Sequence, residues 1–517
     1  MIKKANKIEN LMIIILSIAI LISISVICYS KAKENKQDTT KGKLVLYEGP
    51  KSLKDATKED LVATSEQERD LTLKHCVDTL ITVDGEDCYV YDTNVNHTRK
   101  WVSNYLPPIS RTPITYFDFE GRADIVITVP EREIENVQIS PLSYGIKPKI
   151  NKKDHTVSFS ITTPDTYTIQ FNNSPERAVH IFANAIEQDI PDFNDENVVY
   201  VGPGEWDIES ISLESGQTLY IAGGAVVHGT INANFVKDVK VCGRGIIDGS
   251  KYEGWKGATA YIPLKFDHSS NIVVKDVIVL NANAWVCQAF DSENGVIDGV
   301  KIISPRPNGD GITLQSCKNF EVKNSFVRSW DDSLVVKNYS GNSEKITFSN
   351  MQLWTDLAQS MEVGYETNKG NKENASINGV TFENICVLNN FHKPVISVHN
   401  ADDAIVSNIT FRNITVENAQ MGSGDGDIMP YLIDLDITQS SNWSTTRERG
   451  QIKDILIENV NVLSGKNAPS RIKGFDETHI VDGVTINNLV ILGNKIKDFS
   501  EGNFEIDGLS TNNLTIE

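Results

Sequence analysis

The chain has 517 residues, 40% of them hydrophobic, and a net charge of −20 at neutral pH. That length admits two or more domains and that composition fills a large core. The negative balance argues against nucleic acid and anionic membrane surfaces as partners, and mildly disfavours a strongly polyanionic substrate.

In chain order, residues 1–10 carry Lys3, Lys4 and Lys7 ahead of an uncharged run from Leu11 to Ser30. Basic residues before an apolar stretch direct the rest of the chain outward. Twenty residues is long for a signal-peptide core and enough to span a bilayer. Residues 1–10 are therefore expected to be cytoplasmic and residues 11–30 a transmembrane anchor. The alternative is a signal peptide cleaved near Ser30-Lys31-Ala32. Either way the body is expected outside the cytoplasm, surface-anchored or secreted. Cys28 follows Ile27 rather than a small residue, which weakens it as a lipid-attachment site. Residues 31–42 are polar and read as a linker.

From 43 to 190, strand-like runs alternate with turn signals: Tyr116-Phe117-Asp118-Phe119, Ala123 to Val129, Thr156 to Ile161 and Thr166 to Phe171. This texture predicts a small β-sandwich with no compelling catalytic constellation, hence a packing or carbohydrate-contacting accessory module. The seven cysteines do not read as a disulfide framework. Cys76 and Cys88 are placed to pair, whereas Cys242, Cys287, Cys317 and Cys386 fit buried apolar positions.

From about 195 to 517 the chain repeats. Short alternating strands are followed by Asn, as in Ile346-Thr347-Phe348-Ser349-Asn350, Val380-Thr381-Phe382-Glu383-Asn384, Ile409-Thr410-Phe411-Arg412-Asn413 and Val484-Thr485-Ile486-Asn487-Asn488. Alternation means half-buried strands. The fixed Asn suggests a turn residue that tolerates left-handed backbone and ladders with its neighbours. A single short strand cannot bury its own apolar face, so coils must stack. A parallel β-helix is the economical answer; a β-propeller wants longer blades of four strands. The glycines of Gly202-Pro203-Gly204 and Gly243-Arg244-Gly245 open no helix and precede no Gly-Lys-Ser/Thr, so they are turns, not a nucleotide loop.

Within the repeats, Asp310 in Asn308-Gly309-Asp310-Gly311-Ile312 is followed 21 and 22 positions later by Asp331 and Asp332 in Ser329-Trp330-Asp331-Asp332-Ser333. That interval is close to the repeat period, and residues one repeat apart stack on the same face of a solenoid. Three carboxylates then share a surface, as acid/base cleavage of a glycosidic bond requires. Adjacent strand residues point to opposite faces, so Asp331 and Asp332 both reach that surface only where the backbone bends.

Gly243-Arg244-Gly245-Ile246-Ile247-Asp248-Gly249, Asn308-Gly309-Asp310-Gly311-Ile312 and Asp331-Asp332-Ser333-Leu334-Val335-Val336-Lys337 resemble glycoside hydrolase family 28, the polygalacturonases, over roughly residues 195–500. That family has Asn-Thr-Asp followed by an Asp-Asp pair at this interval. A β-sandwich ahead of a β-helix is also similar to the dextranase and isopullulanase family, glycoside hydrolase family 49, which shares the three aspartates. The resemblance implies an all-β fold with a right-handed parallel β-helix, and hydrolysis with inversion. It makes Asp331 the general acid and Asp310 and Asp332 the groups that activate water. No cofactor or metal is implied, and the partner is a polysaccharide or oligosaccharide substrate.

The departures bear on the substrate. Family 28 has a Ser/Gly-His-Gly motif after the Asp pair, where this chain has Leu357-Ala358-Gln359-Ser360-Met361-Glu362-Val363-Gly364. The family's Arg-Ile-Lys, which binds the substrate carboxylate, falls on Pro394-Val395-Ile396-Ser397-Val398. Arg471-Ile472-Lys473 comes too late to align and is read as coincidence, and His392 and Lys393 are loop substitutes at best. Both losses point to a neutral glycan such as dextran. Aromatic stacking candidates are Trp285, Trp330, Trp354 and Tyr365; polar contacts are expected from Gln315, Lys337, Glu362 and Glu366. The competing readings are a β-helix lyase or epimerase acting on uronates, and a non-catalytic glycan-binding β-helix.

Overall fold

A computed structural model describes residues 41–61, 70–96, 110–252, 259–421 and 431–517. The expected cytoplasmic segment, the anchor or signal peptide and nearly all of the linker lie outside the described residues, as does the insertion from Gly422 to Asp427. No helix among the described residues is long and apolar enough to cross a membrane.

Residues 41–185 form two facing sheets, one of seven strands and one of five. Ala123–Thr128 and Thr156–Ile161 pair antiparallel, and each buries alternate side chains. The period-2 pattern therefore puts Ile125, Ile127, Val157 and Phe159 on one inner face. They meet Phe117, Phe119, Ile169 and Ile181 from the other sheet in a shared core. Cys76 and Cys88, the one pair the sequence left open, are both free thiols, and Cys76 donates to Asp78 Oδ1 at 3.1 Å. Cys242, Cys287 and Cys317 are buried and Cys386 is half-buried.

From Val198 to Ile516 the strands belong to a continuous parallel stack, a parallel β-helix. Each strand pairs with its counterpart one coil on, as Ile312–Gln315 does with Leu334–Lys337 and Phe326–Ser329 with Gln352–Thr355. The interior is aliphatic, with a ladder of Phe348, Phe382 and Phe411 stacked at 4.9 Å per step. At the expected turn, Asn350, Asn384, Asn413, Asn459 and Asn488 take left-handed φ of 54–55°. Their amides ladder: Asn413 donates to Asn384 at 2.9 Å, Asn459 to Asn413 at 3.0 Å and Asn488 to Asn459 at 3.0 Å. Asn is suited to both tasks, because it tolerates that backbone region and its amide both donates and accepts.

The two-sheet module covers one face of the β-helix. Tyr91, Ile114, Tyr116 and Phe182 pack there against Ile278, Ile303, Phe326 and Trp354. Polar groups are matched across the same contact: Arg328 bonds Asp356 at 3.2 Å and His180 at 3.2 Å, and Arg244 bonds Asp118 at 2.9 Å. The strands Ile312–Gln315, Leu334–Lys337 and Met361–Tyr365 lie on another face of the same coils.

Candidate active site

Asp310 lies in the connection between the strands Lys301–Ser304 and Ile312–Gln315; Asp331 and Asp332 lie in the equivalent connection one coil on, between Phe326–Ser329 and Leu334–Lys337. The bend required to aim two adjacent aspartates the same way is thus supplied by the corner of the coil. Successive corners are stitched together by backbone bonds: Gly311 donates to Asp332 O at 2.8 Å, and Ser333 to Gln359 O at 2.9 Å. Beneath them the hydroxyls of Ser329, Ser333, Thr355 and Ser360 form a chain with 2.7–2.8 Å links. A satisfied buried polar network of this kind fixes the corners rigidly.

The three carboxylates are held differently. Asp331, half-buried, accepts from the backbone N–H of Asn308 at 2.8 Å and of Asp332 at 3.1 Å. Asp332 reaches the other way along the stack and accepts from Gln359 N–H at 3.0 Å. Asp310 is 3% exposed and lies 3.4 Å from Lys337 Nζ, which sits 3.3 Å from Glu366. Burial, opposed by Lys337 and reinforced by Asp331, raises the Asp310 pKa from 3.8 to about 7. Burial together with Asp331 and Asp310 raises Asp332 well above the usual carboxylate range. Crowded carboxylates in a dry site keep a proton that water would remove.

A second cluster continues on the following coils and was not foreseen from the sequence. Glu362, Ser397, Asp434 and Arg471 occupy one register across four strands, with His399 and Asp436 two residues further along theirs. His399, 1% exposed, bonds Glu362 at 2.9 Å and Asp434 at 3.0 Å. Arg471 bonds Asp434 at 2.8 Å and Asp436 at 3.0 Å. Burial pulls the His399 pKa down, but Glu362 and Asp434 outweigh it and raise it to about 10, so the ring is an imidazolium. Arg471 is therefore not a coincidence in space, although it lies too far along the chain to align with the family's motif. The signal was the repeated placement of a charged residue in Met361-Glu362-Val363, Val398-His399, Ile433-Asp434-Leu435-Asp436 and Arg471-Ile472-Lys473.

The expected substrate contacts divide. Lys337 and Glu366 are brought to Asp310, and Trp285 lies under the Lys337 ammonium, 5.7 Å from ring centroid to Nζ. Tyr365 stacks on His399 with centroids 4.2 Å apart. Four expectations need correction. Trp354 is fully buried beneath the two-sheet module, against Phe391 and the Arg328 guanidinium, because its strand belongs to the covered face. Trp330 packs on Leu357 and leaves 3% of itself exposed, too little for a sugar face. Glu362 is fully buried and spent on His399 and Ser397. Gln315 is fully buried and donates to Gln288 Oε1 at 3.0 Å. His392 is buried as well.

Among the described residues, Cys76, Asp78 and Asp92 are close enough together for a metal ion. They lie in the two-sheet module, where the Arg177 guanidinium pairs with both aspartates and supplies the positive charge itself.

Residues 209–506 match the model of the glycosyl hydrolases family 28. The chain belongs to that family. Curated relatives include a polygalacturonase of Cryptomeria japonica, 23% identical over 251 residues that make up 45% of this chain and 46% of the relative. A probable endopolygalacturonase D of Neosartorya fischeri is 25% identical over 291 residues, 51% of this chain and 57% of the relative. The chain thus spans about half the length of the curated relatives it matches. Among solved structures, Dex49A from Penicillium minioluteum superposes with a TM-score of 0.58 at 14% identity, covering 93% of this chain and 100% of that one. At that identity the likeness concerns the fold, and it extends over the two-sheet module as well as the β-helix.

Proposed function

We propose that this family 28 member is an inverting glycoside hydrolase that cleaves O-glycosidic bonds of a neutral polysaccharide or oligosaccharide outside the cytoplasm. The observation that carries the reading is the gathering of Asp310, Asp331 and Asp332 at one corner of two successive coils, with Lys337 beside Asp310. Asp331, the least buried of the three, is best placed to meet the leaving oxygen as general acid. Asp310 and Asp332, more deeply set, would hold and activate the water. An inverting pair needs roughly 6.5–9.5 Å between acid and base to admit that water. Burial and crowding raise the proton affinity of Asp310 and Asp332. Covering Asp331 with a sugar desolvates it, which favours transfer of the shared proton onto the acid.

Support for a neutral substrate comes from three cations near the site that are already paired. Lys337 is matched by Asp310 and Glu366, His399 by Glu362 and Asp434, and Arg471 by Asp434 and Asp436. A uronate carboxylate would have to compete with two internal carboxylates for each. The same pairing disfavours the lyase reading, because an eliminating base must be unprotonated and ion pairing holds these cations in their protonated form. Lys337, despite its burial, is driven well above 10.5 by Glu366 and Asp310.

The test is hydrolysis of dextran, pullulan, polygalacturonate and rhamnogalacturonan by the wild type and Asp331→Asn, with the anomer of the first product read by NMR. Cleavage of a neutral glucan with inversion, lost in the variant, is expected. Cleavage of polygalacturonate, or retention of configuration, would overturn the substrate class or the mechanism respectively.

A further inference from the structure

The loop from Thr438 to Gly450 is built to present one side chain. Its anchor is Asp402, fully buried, which accepts from Thr445 N–H at 2.7 Å, Thr446 N–H at 3.0 Å and Asn368 N–H at 3.1 Å. Both threonine hydroxyls also donate to it, at 3.2 and 3.1 Å. Arg449, 4% exposed, ties the two ends, donating to the carbonyls of Thr438 at 3.0 Å and of Ala401. A carboxylate and a guanidinium this deep are expensive to bury without partners, and both bond to the loop, Asp402 to its N–H groups and Arg449 to its carbonyls.

What the loop carries is Trp443. Its indole stacks on Tyr365 with centroids 4.8 Å apart and 23° between planes, yet 38% of the residue stays exposed. Tyr365 in turn lies parallel to the His399 imidazolium, 3° between planes. Tyr365 closes the strand Met361–Tyr365, which is paired in register with Leu334–Lys337, the strand that follows Asp331 and Asp332. The imidazolium, clamped by Glu362 and Asp434, is thus a fixed support for two stacked aromatic rings at the Lys337 end of the neighbouring strand, where Lys337 pairs with Asp310.

We infer that Trp443, backed by Tyr365 and His399, is a sugar-binding platform that takes the apolar face of a neutral pyranose ring and holds the glycan against the three aspartates. The inference rests on the hydrolase reading for its placement but not for its test. An exposed indole held flat offers the C–H face of a pyranose a large apolar contact at little cost in side-chain entropy. Thr446 and Arg449 are turned inward and fix the loop, while Asn442, Arg447 and Glu448 stay exposed; the indole face itself answers to ring shape rather than charge. Tyr365 and His399 are positioning residues here; Trp443 makes the contact.

The experiment is affinity electrophoresis of the full chain through gels cast with dextran, pullulan or polygalacturonate, alongside KM and kcat on whichever glycan is cleaved. The variants are Trp443→Ala, Trp443→Phe and Asp331→Asn. Retardation by a neutral glucan is expected for the wild type and for Asp331→Asn alike. Trp443→Ala should weaken it about tenfold and raise KM with kcat unchanged. Trp443→Phe should recover most of the loss. Trp443→Ala should still melt in one cooperative transition, lowered only modestly by loss of the Tyr365 stack. Retardation of Trp443→Ala equal to wild type, retardation by polygalacturonate alone, or none by either glucan would each overturn the platform. Retardation that depends on Trp443 without any turnover would keep the platform and sink the hydrolase reading instead.

Discussion

Residues 326–337 run through two environments within one coil. On the covered face, Arg328 is 1% exposed and set against Asp356, its guanidinium carbon over the Trp354 ring, 4.4 Å from the centroid, and bonded to His180. Burial and Arg328 hold His180 well below 6.5, so it stays neutral there. One cation meets one anion, and every ring has a partner. At the corner a few residues later three carboxylates gather, and Lys337 pairs with only one of them, Asp310, while also pairing with Glu366. Both regions are dry and charged; the difference is balance. Matched charge holds a surface together, whereas unmatched carboxylate raises proton affinity, which acid/base chemistry exploits.

That contrast is broken most sharply at the corner. Asp331→Asn, Asp310→Asn and Asp332→Asn are each expected to reduce turnover by about 10²–10⁴-fold. Removing a negative charge from a crowded cluster relieves repulsion, so the unfolding midpoint in denaturant should stay level or rise. A variant that loses stability in proportion to activity would place its aspartate among the structural charges.

On the covered face the expectation reverses. Arg328→Ala leaves Asp356 buried without its partner, and breaking such a pair costs about 3–5 kcal/mol. Urea titration should show that loss, while kcat/KM of the folded protein stays near wild type. A large fall in kcat/KM with unchanged stability would show that the two faces are coupled and not separate as the charge balance implies.

The two regions also differed in how far the sequence revealed them. The parallel β-helix was legible because its period is local: alternating strands closed by Asn350, Asn384, Asn413 or Asn488 state the coil, the turn and the ladder at once. Asp310, Asp331 and Asp332 were legible because one repeat separates them. His399 and Trp443 were not, because the partners that define them are 37 and 78 positions away at Glu362 and Tyr365, across insertions that lengthen the later coils. Trp354 misled for a related reason. It stands near the aspartates in sequence, but strand order sends it to the face under the two-sheet module. Burial by another domain leaves no mark on the period of a strand.

Stability against pH separates the clusters further. Asp310, raised from 3.8 to about 7, binds a proton in the native state that the unfolded chain has released. Its contribution therefore falls as pH rises from about 4 to about 7. His399, raised from 6.5 to about 10, has the opposite ionic role. Its contribution is complete below 6.5 and is lost as pH climbs through about 10. Melting temperatures across pH should show Asp310→Asn flattening the acid-to-neutral slope and His399→Gln the neutral-to-alkaline one. The two slopes exchanging places between the variants would mean that the cations and carboxylates are paired differently from the arrangement described here.

The smallest effect tests how much of the imbalance Lys337 conceals. Its ammonium is the main influence restraining Asp310, opposing the burial that pushes that carboxyl up. Lys337→Met keeps most of the length of the side chain but removes the charge, and with it the ammonium contact to Trp285. Asp310 then has no cation within its salt bridge and should hold its proton to higher pH, by about one unit. If ionised Asp310 activates the water, the acidic limb of kcat/KM must move up by the same amount, because that limb reports the base in the free enzyme. Glu366 keeps Lys369, 3.8 Å away, and its negative charge pushes Asp310 in the same direction as the loss of Lys337. A limb that stays in place while the rate drops would assign Lys337 to holding substrate, and would leave Asp332 as the group whose ionisation sets the rate.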